Sequence, residues 1–112
     1  MNEPTKRKGI NKMKESELQT VDVEALEWFD KINGNSYFAA IVTLNHGTET
    51  EEVIRLPFQY GYGLSFEWEA IRAICNHLGI EMNNSLYSWC KNRNIILRSR
   101  KDKALKREVK AI

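Results

Sequence analysis

The chain is poor in cysteine: Cys75 and Cys90 are the only two in 112 residues. Two thiols cannot build a disulfide scaffold, so a reducing cytosol is the expected compartment. No apolar run approaches about 18 residues, which excludes a membrane-spanning helix. Met1 to Lys14 is lysine-rich without an apolar centre, unlike a secretory signal. There is no GxGxxG, Walker loop, HExxH or CxxC. His46 and His77 have no spaced ligand partners, and a metal site needs three or four converging ligands. No metal or other cofactor is expected. The acidic residues are scattered, and no acid–base pair can be named. These absences point away from an enzyme.

What is present is ordinary in amount. Hydrophobic residues make up 42% and charged residues 29%, the composition of one globular domain. The net charge of +2 hides an uneven distribution. Residues 1–15 carry +3, residues 16–90 carry −8, and residues 91–112 carry +7. Basic ends of this kind commonly meet phosphate or an acidic partner. The acidic middle argues against a general nucleic-acid binder.

Residues 1–16 read as a flexible basic arm, 17–100 as one ligand-binding domain and 101–112 as a basic tail. Residues 17–31 fit two periods. Val21, Val23 and Ala25 alternate as in a strand, while Leu18, Val21, Ala25, Phe29 and Ile32 form a helical stripe. Asn33-Gly34 is a hairpin signal, because the favoured turn needs positive φ at both positions. That favours a strand before it. Tyr37 to Leu44 and Val53 to Phe58 read as two more strands, with Pro57 marking an edge or an end.

Tyr60-Gly61-Tyr62-Gly63 breaks the pattern, and Ser65 is placed to cap a helix ending at Gly79. Asn84 would cap a second, short helix over Ser85–Lys91. Ile95-Ile96-Leu97 closes the order β-β-β-α-α-β in an α+β protein. Both cysteines lie in apolar helical faces, as small buried hydrophobes. Lys91 and Arg93 could lower the pKa of Cys90.

The positive signal is aromatic residues beside glycines, followed by arginines. A glycine-flanked helix start offers N–H groups to an anion. Phe66 heads an apolar helical face with Ala70, Ala73/Ile74 and His77/Leu78. Half-exposed there it could stack on a base; the alternative is that Tyr60, Tyr62 and Phe66 close the core. Arg93, Arg98 and Arg100 carry planar donors suited to phosphate. Together they suggest a nucleotide-sized ligand or a nucleic acid.

Trp28-Phe29, Asn33-Gly34-Asn35-Ser36-Tyr37 and Pro57-Phe58-Gln59-Tyr60-Gly61-Tyr62-Gly63 resemble motifs of small phage proteins. The set includes the Thoeris anti-defence sponges, which sequester a cyclic ADP-ribose isomer made by bacterial TIR proteins. The match covers residues 20–80. It implies a Greek-key-like antiparallel β-sandwich with two added helices, forming homo-oligomers with pockets between subunits in the host bacterial cytoplasm. It implies binding of a cyclic nucleotide messenger without cleavage. On the matching positions, Phe66 would stack on adenine, Asn76 would hydrogen-bond across from it, and Arg93 would cover the base or a phosphate. Arg98 and Arg100 would hold phosphates. Two positions depart from the pattern. Phe38 stands where the family has histidine, and Leu64 follows the YGYG run where a polar residue is usual.

Two other readings compete. A helix over 17–31 would give the order α-β-β-β-α of a double-stranded-RNA-binding domain, with the basic tail on phosphates. A pure interaction protein would bind no nucleotide and would expose an apolar patch.

Overall fold

The structure, a computed structural model, describes residues 13–112. Four strands form one mixed sheet: β1 (Thr20–Asp30), β2 (Asn35–Leu44), β3 (Glu52–Tyr60) and β4 (Ile96–Lys103). Three helices accompany it: α1 (Ser65–Leu78), α2 (Leu86–Asn92) and α3 (Lys106–Lys110). The chain is therefore α+β. Its order differs from the expected one by a 3₁₀ turn at Glu15–Glu17 before β1 and by α3 after β4.

The sheet order is β3-β2-β1-β4. The first three strands form an antiparallel meander. The chain then crosses through α1 and α2 to lay β4 parallel to β1. Among the described residues all strands belong to this sheet, so the expected sandwich is replaced by a helix layer. The α1 sequence explains why. Phe66, Ala70, Ile71, Ile74 and Cys75 form one buried stripe at helical spacing. That stripe covers the face a second sheet would need.

The ambiguous segment is strand β1. Val21, Val23 and Ala25 are buried and pair with Leu44, Val42 and Ala40, giving a continuous apolar face beneath the helices. The strand removes the α-β-β-β-α order. Trp89, Leu86 and Cys90 of α2 complete the same core.

Three local expectations change. At the hairpin only Gly34 has positive φ, at 72°. The turn is built on Asp30, whose carboxylate accepts from the Ile32 and Asn33 N–H groups and from the Asn33 amide. The Asn33 side-chain bond leads in lowering the Asp30 pKa. Ser65 does not cap α1, because its hydroxyl accepts from the Tyr62 N–H instead. In α2 the cap is Ser85, bonded to the Ser88 N–H at 3.2 Å, and not Asn84.

Both terminal segments pack where described. Residues 1–12 of the expected arm lie outside the described residues. Met13 is buried in the core, and Glu15 accepts from Arg93 Nε. The expected tail continues β4 to Lys103, and α3 then lies across the second sheet face. Val109 is fully buried there. Ala39, on that same face by alternation, is 1% exposed.

One polar residue organises the end of the sheet opposite the hairpin. Asn45 is 2% exposed and sits at φ 53°, a left-handed position that asparagine tolerates. Its Oδ1 accepts from the Gln19 and Thr20 N–H groups at 2.7 and 3.2 Å. Its Nδ2 donates to the Glu17 carbonyl and to Thr50. The side chain thus ties the β2–β3 loop to the entry of β1. Asn45→Ala strips two backbone donors of their acceptor, at about 1–3 kcal/mol for each when water cannot replace it. The site is part-buried, so the expected loss is about 2 kcal/mol, read as a lower urea midpoint with an unchanged slope.

Candidate functional site

The Tyr60-Gly61-Tyr62-Gly63 turn has a packing role. The Gly61 N–H extends the ladder to the Ser36 carbonyl at 3.0 Å. A Cβ on Gly61 would lie 2.6 Å from the Phe38 ring and 3.0 Å from Ser65 Cβ. Only glycine lets this turn close onto the sheet. Gly61→Ala should cost about 1–3 kcal/mol by overpacking, seen as a lower melting temperature. Gly63→Ala makes no such contact.

Part of the helix start is already bonded within the turn. The Tyr62 and Ser65 N–H groups are spent on the Ser65 hydroxyl and the Tyr62 carbonyl, and those of Glu67 and Trp68 on the Leu64 carbonyl. Glu67 sits in the first turn, bonded to the Ser99 hydroxyl at 2.7 Å.

The five expected binding residues do not converge. Phe66 is 4% exposed and belongs to the core, with Lys101 Nζ 5.5 Å from its ring centroid. It has no free face for a base. Asn76 is exposed ten residues further along α1, about 15 Å at 1.5 Å per residue. Both therefore cannot grip one purine. Arg93 lies at the other end of α2, with its guanidinium carbon 4.5 Å from the Trp89 ring centroid and its Nε donating to Glu15. It lines a separate cavity of about 510 Å³ with Lys14, Leu18 and Ile95.

Arg98 and Arg100 do come together. They alternate with Ser99 and Lys101 along β4, so they project from the face opposite Phe66. Ser99 and Lys101 reach Glu67 and Gly63 on the helix side. Arg98 and Arg100 line a cavity of about 450 Å³ with Asp22, Glu24, Thr43 and His46. That volume lies in the range of small-molecule sites. It occupies the half of the second face that α3 leaves open.

The electrostatics of this cleft are mixed. Arg98 donates to both oxygens of Asp22, at 2.5 and 3.1 Å. Arg100 donates to Asp102 at 2.7 Å. These hydrogen bonds raise both arginine pKa values, so both are charged at any working pH. His46 Nδ1 lies 2.9 Å from Glu51. Glu24 makes no ion pair among the described residues, but its charge acts on Arg100 beside it. The cleft therefore holds two guanidinium forks, each paired with an aspartate, and the Glu24 carboxylate beside Arg100.

The two cysteines are free thiols in the core. Both are buried, and burial pushes the Cys90 thiol up to about 11, outweighing the nearby Arg93 charge. Cys75 is raised for the same reason. No described group of histidine, cysteine and acidic residues is arranged to hold a metal ion. No described helix is long and apolar enough to cross a membrane.

Sequence reasoning missed Asp22, Glu24, Thr43 and His46. The alternation of β1 was a usable signal, because it sends Asp22 and Glu24 to the face opposite Val21 and Val23. Their pairing with β4 was not, since it joins residues 76 apart.

Fold and site define the class: a small α+β protein with an ionic, ligand-sized cleft on a half-open sheet. The chain matches no protein-family model, and comparison with curated proteins and with solved structures gives no match.

Proposed function

We propose that this protein holds a phosphate-bearing, nucleotide-sized ligand without converting it, in the cleft between β1, β2 and β4. The observation that carries the reading is the pair Arg98 and Arg100, aimed into one cavity of about 450 Å³. Their forks match phosphate oxygens, and charge-assisted bonds of that kind are about twice as strong as neutral ones. Glu24 and Thr43 are suited to ribose hydroxyls. Asp22 and Asp102 pair with the forks. Exposed ion pairs contribute little to stability, so a dianionic phosphate can displace them.

The resemblance makes a cyclic ADP-ribose isomer the first candidate, held as a sponge would hold it, with a second copy of the chain closing the pocket. The cleft chemistry supports the phosphate. The particular messenger rests on the resemblance alone, whose sandwich is not the fold seen here.

The test is to load the purified protein with the isomer, wash it, heat it and identify what is released. Intact isomer in stoichiometric amount is expected. A linear product would replace the reading with an enzyme, and no retention would remove it.

A further inference from the structure

β1 is longer than the strand that pairs its outer edge. It runs to Asp30, but β4 pairs only as far as Glu27↔Lys103. The last bond on that side is Ala104 N–H to the Glu27 carbonyl, at 2.8 Å. Peptide groups alternate sides along a strand, with the N–H and C=O of one residue pointing the same way. Glu27 points toward β4, and Asp30 points toward β2, where its carbonyl accepts from Gly34. The N–H and C=O of Phe29 therefore face the side that β4 has left.

A cavity of about 380 Å³ lies beside this open edge, with Trp28, Phe29, Leu105, Lys31 and Lys103 among its walls. Phe29 and Leu105 are 53% and 52% exposed. Glu27 also lines it, but its carboxylate is held by Lys101 at 3.2 Å. Lys31 and Lys103 have no acidic partner among the described residues. The notch thus combines a backbone donor and acceptor, two apolar side chains and two uncommitted cations.

We infer that this notch is a docking site for a short extended peptide of a partner protein, with an apolar residue flanked by acidic ones. A peptide backbone matches the Phe29 N–H and C=O together, whereas a phosphate chain offers acceptors only. Strand addition at an open sheet edge takes its affinity from such bonds and its specificity from alternate side chains. Phe29 and Leu105 take the apolar residue, and Lys31 and Lys103 take the carboxylates. A second copy of this chain is a poor occupant. Its β4 edge carries Arg98, Arg100, Lys101 and Lys103, which would meet the same lysines, and its β3 edge contains Pro57.

The experiment is an amide NMR titration of the full chain with the capped heptapeptide Asp-Glu-Val-Phe-Val-Glu-Asp. Shifts centred on Phe29 are expected, with slowed exchange of the Phe29 N–H. Binding should weaken at least tenfold for Lys31→Glu/Lys103→Glu, a surface pair that leaves the fold intact. The double variant should instead take the counterpart with lysine in place of each acid. No shift at Phe29 at millimolar peptide overturns the inference. Unchanged affinity in the double variant, or the same shifts with a short oligothymidylate, also overturns it. None of these outcomes involves the arginine cleft, so this inference and the ligand proposal stand or fall separately.

Discussion

Replacing Phe66 by alanine is expected to destabilise the protein by about 3–5 kcal/mol, the usual cost of emptying a buried aromatic position. Domains of this size have about 5–15 kcal/mol in total. The variant should therefore melt roughly 15 °C or more below the parent. Phe66 is 4% exposed within the same core as Phe38, Ile74 and Leu56. Its ring also carries Lys101, which bonds the Gly63 carbonyl at 2.7 Å, so the loss extends to the turn before α1. Phe66→Leu should recover much of the stability, since leucine refills most of the space and leaves a smaller cavity than alanine. Thermal melts measure both. A stacking residue would behave otherwise: the fold would survive and ligand would be lost. At temperatures where Phe66→Ala remains folded, ligand binding per folded molecule should be unchanged, because the sheet separates this ring from the cleft.

The fate of Phe66 shows where sequence reasoning stopped. Its neighbours, two glycines and two tyrosines, look like an exposed turn. Tyr60 and Tyr62 are indeed exposed, at 59% and 65%. Phe66 goes inward because it heads the apolar stripe with Ala70 and Ile74, a helical spacing that is legible in the sequence and outweighs the look of the turn before it. β1 was legible as well. Its two periods were tied, and the adjacent hairpin broke the tie with local information. The charge pattern was legible only in part. The basic end read as a free phosphate binder, but Arg98 and Lys101 of β4 meet Asp22 and Glu27 of β1. The acidic middle and the basic end are thus partly neutralised against each other through the β1–β4 pairing. A parallel pairing across a helical crossover leaves no short-range mark, so neither the partners nor the cleft between them could be placed from the sequence.

That internal neutralisation gives the ligand proposal a test with a definite sign. Arg98→Ala/Arg100→Ala should lower affinity for a phosphate-bearing ligand by roughly 10²–10⁴-fold, the range for losing two charged hydrogen-bonding groups. Isothermal titration would measure it. The melting temperature should fall by no more than about 3 °C, because both pairs lie at the surface. Lysine at the same two positions keeps the charge and loses the bidentate fork. If phosphate geometry matters, Arg98→Lys/Arg100→Lys should recover only a small part of the affinity. Asp22→Asn moves in the other direction. It removes the carboxylate that pairs with Arg98 and leaves the cleft more positive, so binding should tighten several-fold. A structural salt bridge with no ligand role would give the reverse pattern, with Asp22→Asn lowering the melting temperature and leaving affinity unmoved. The two readings thus differ in which measurement responds to a single carboxylate, and that difference does not depend on knowing which nucleotide is the natural one.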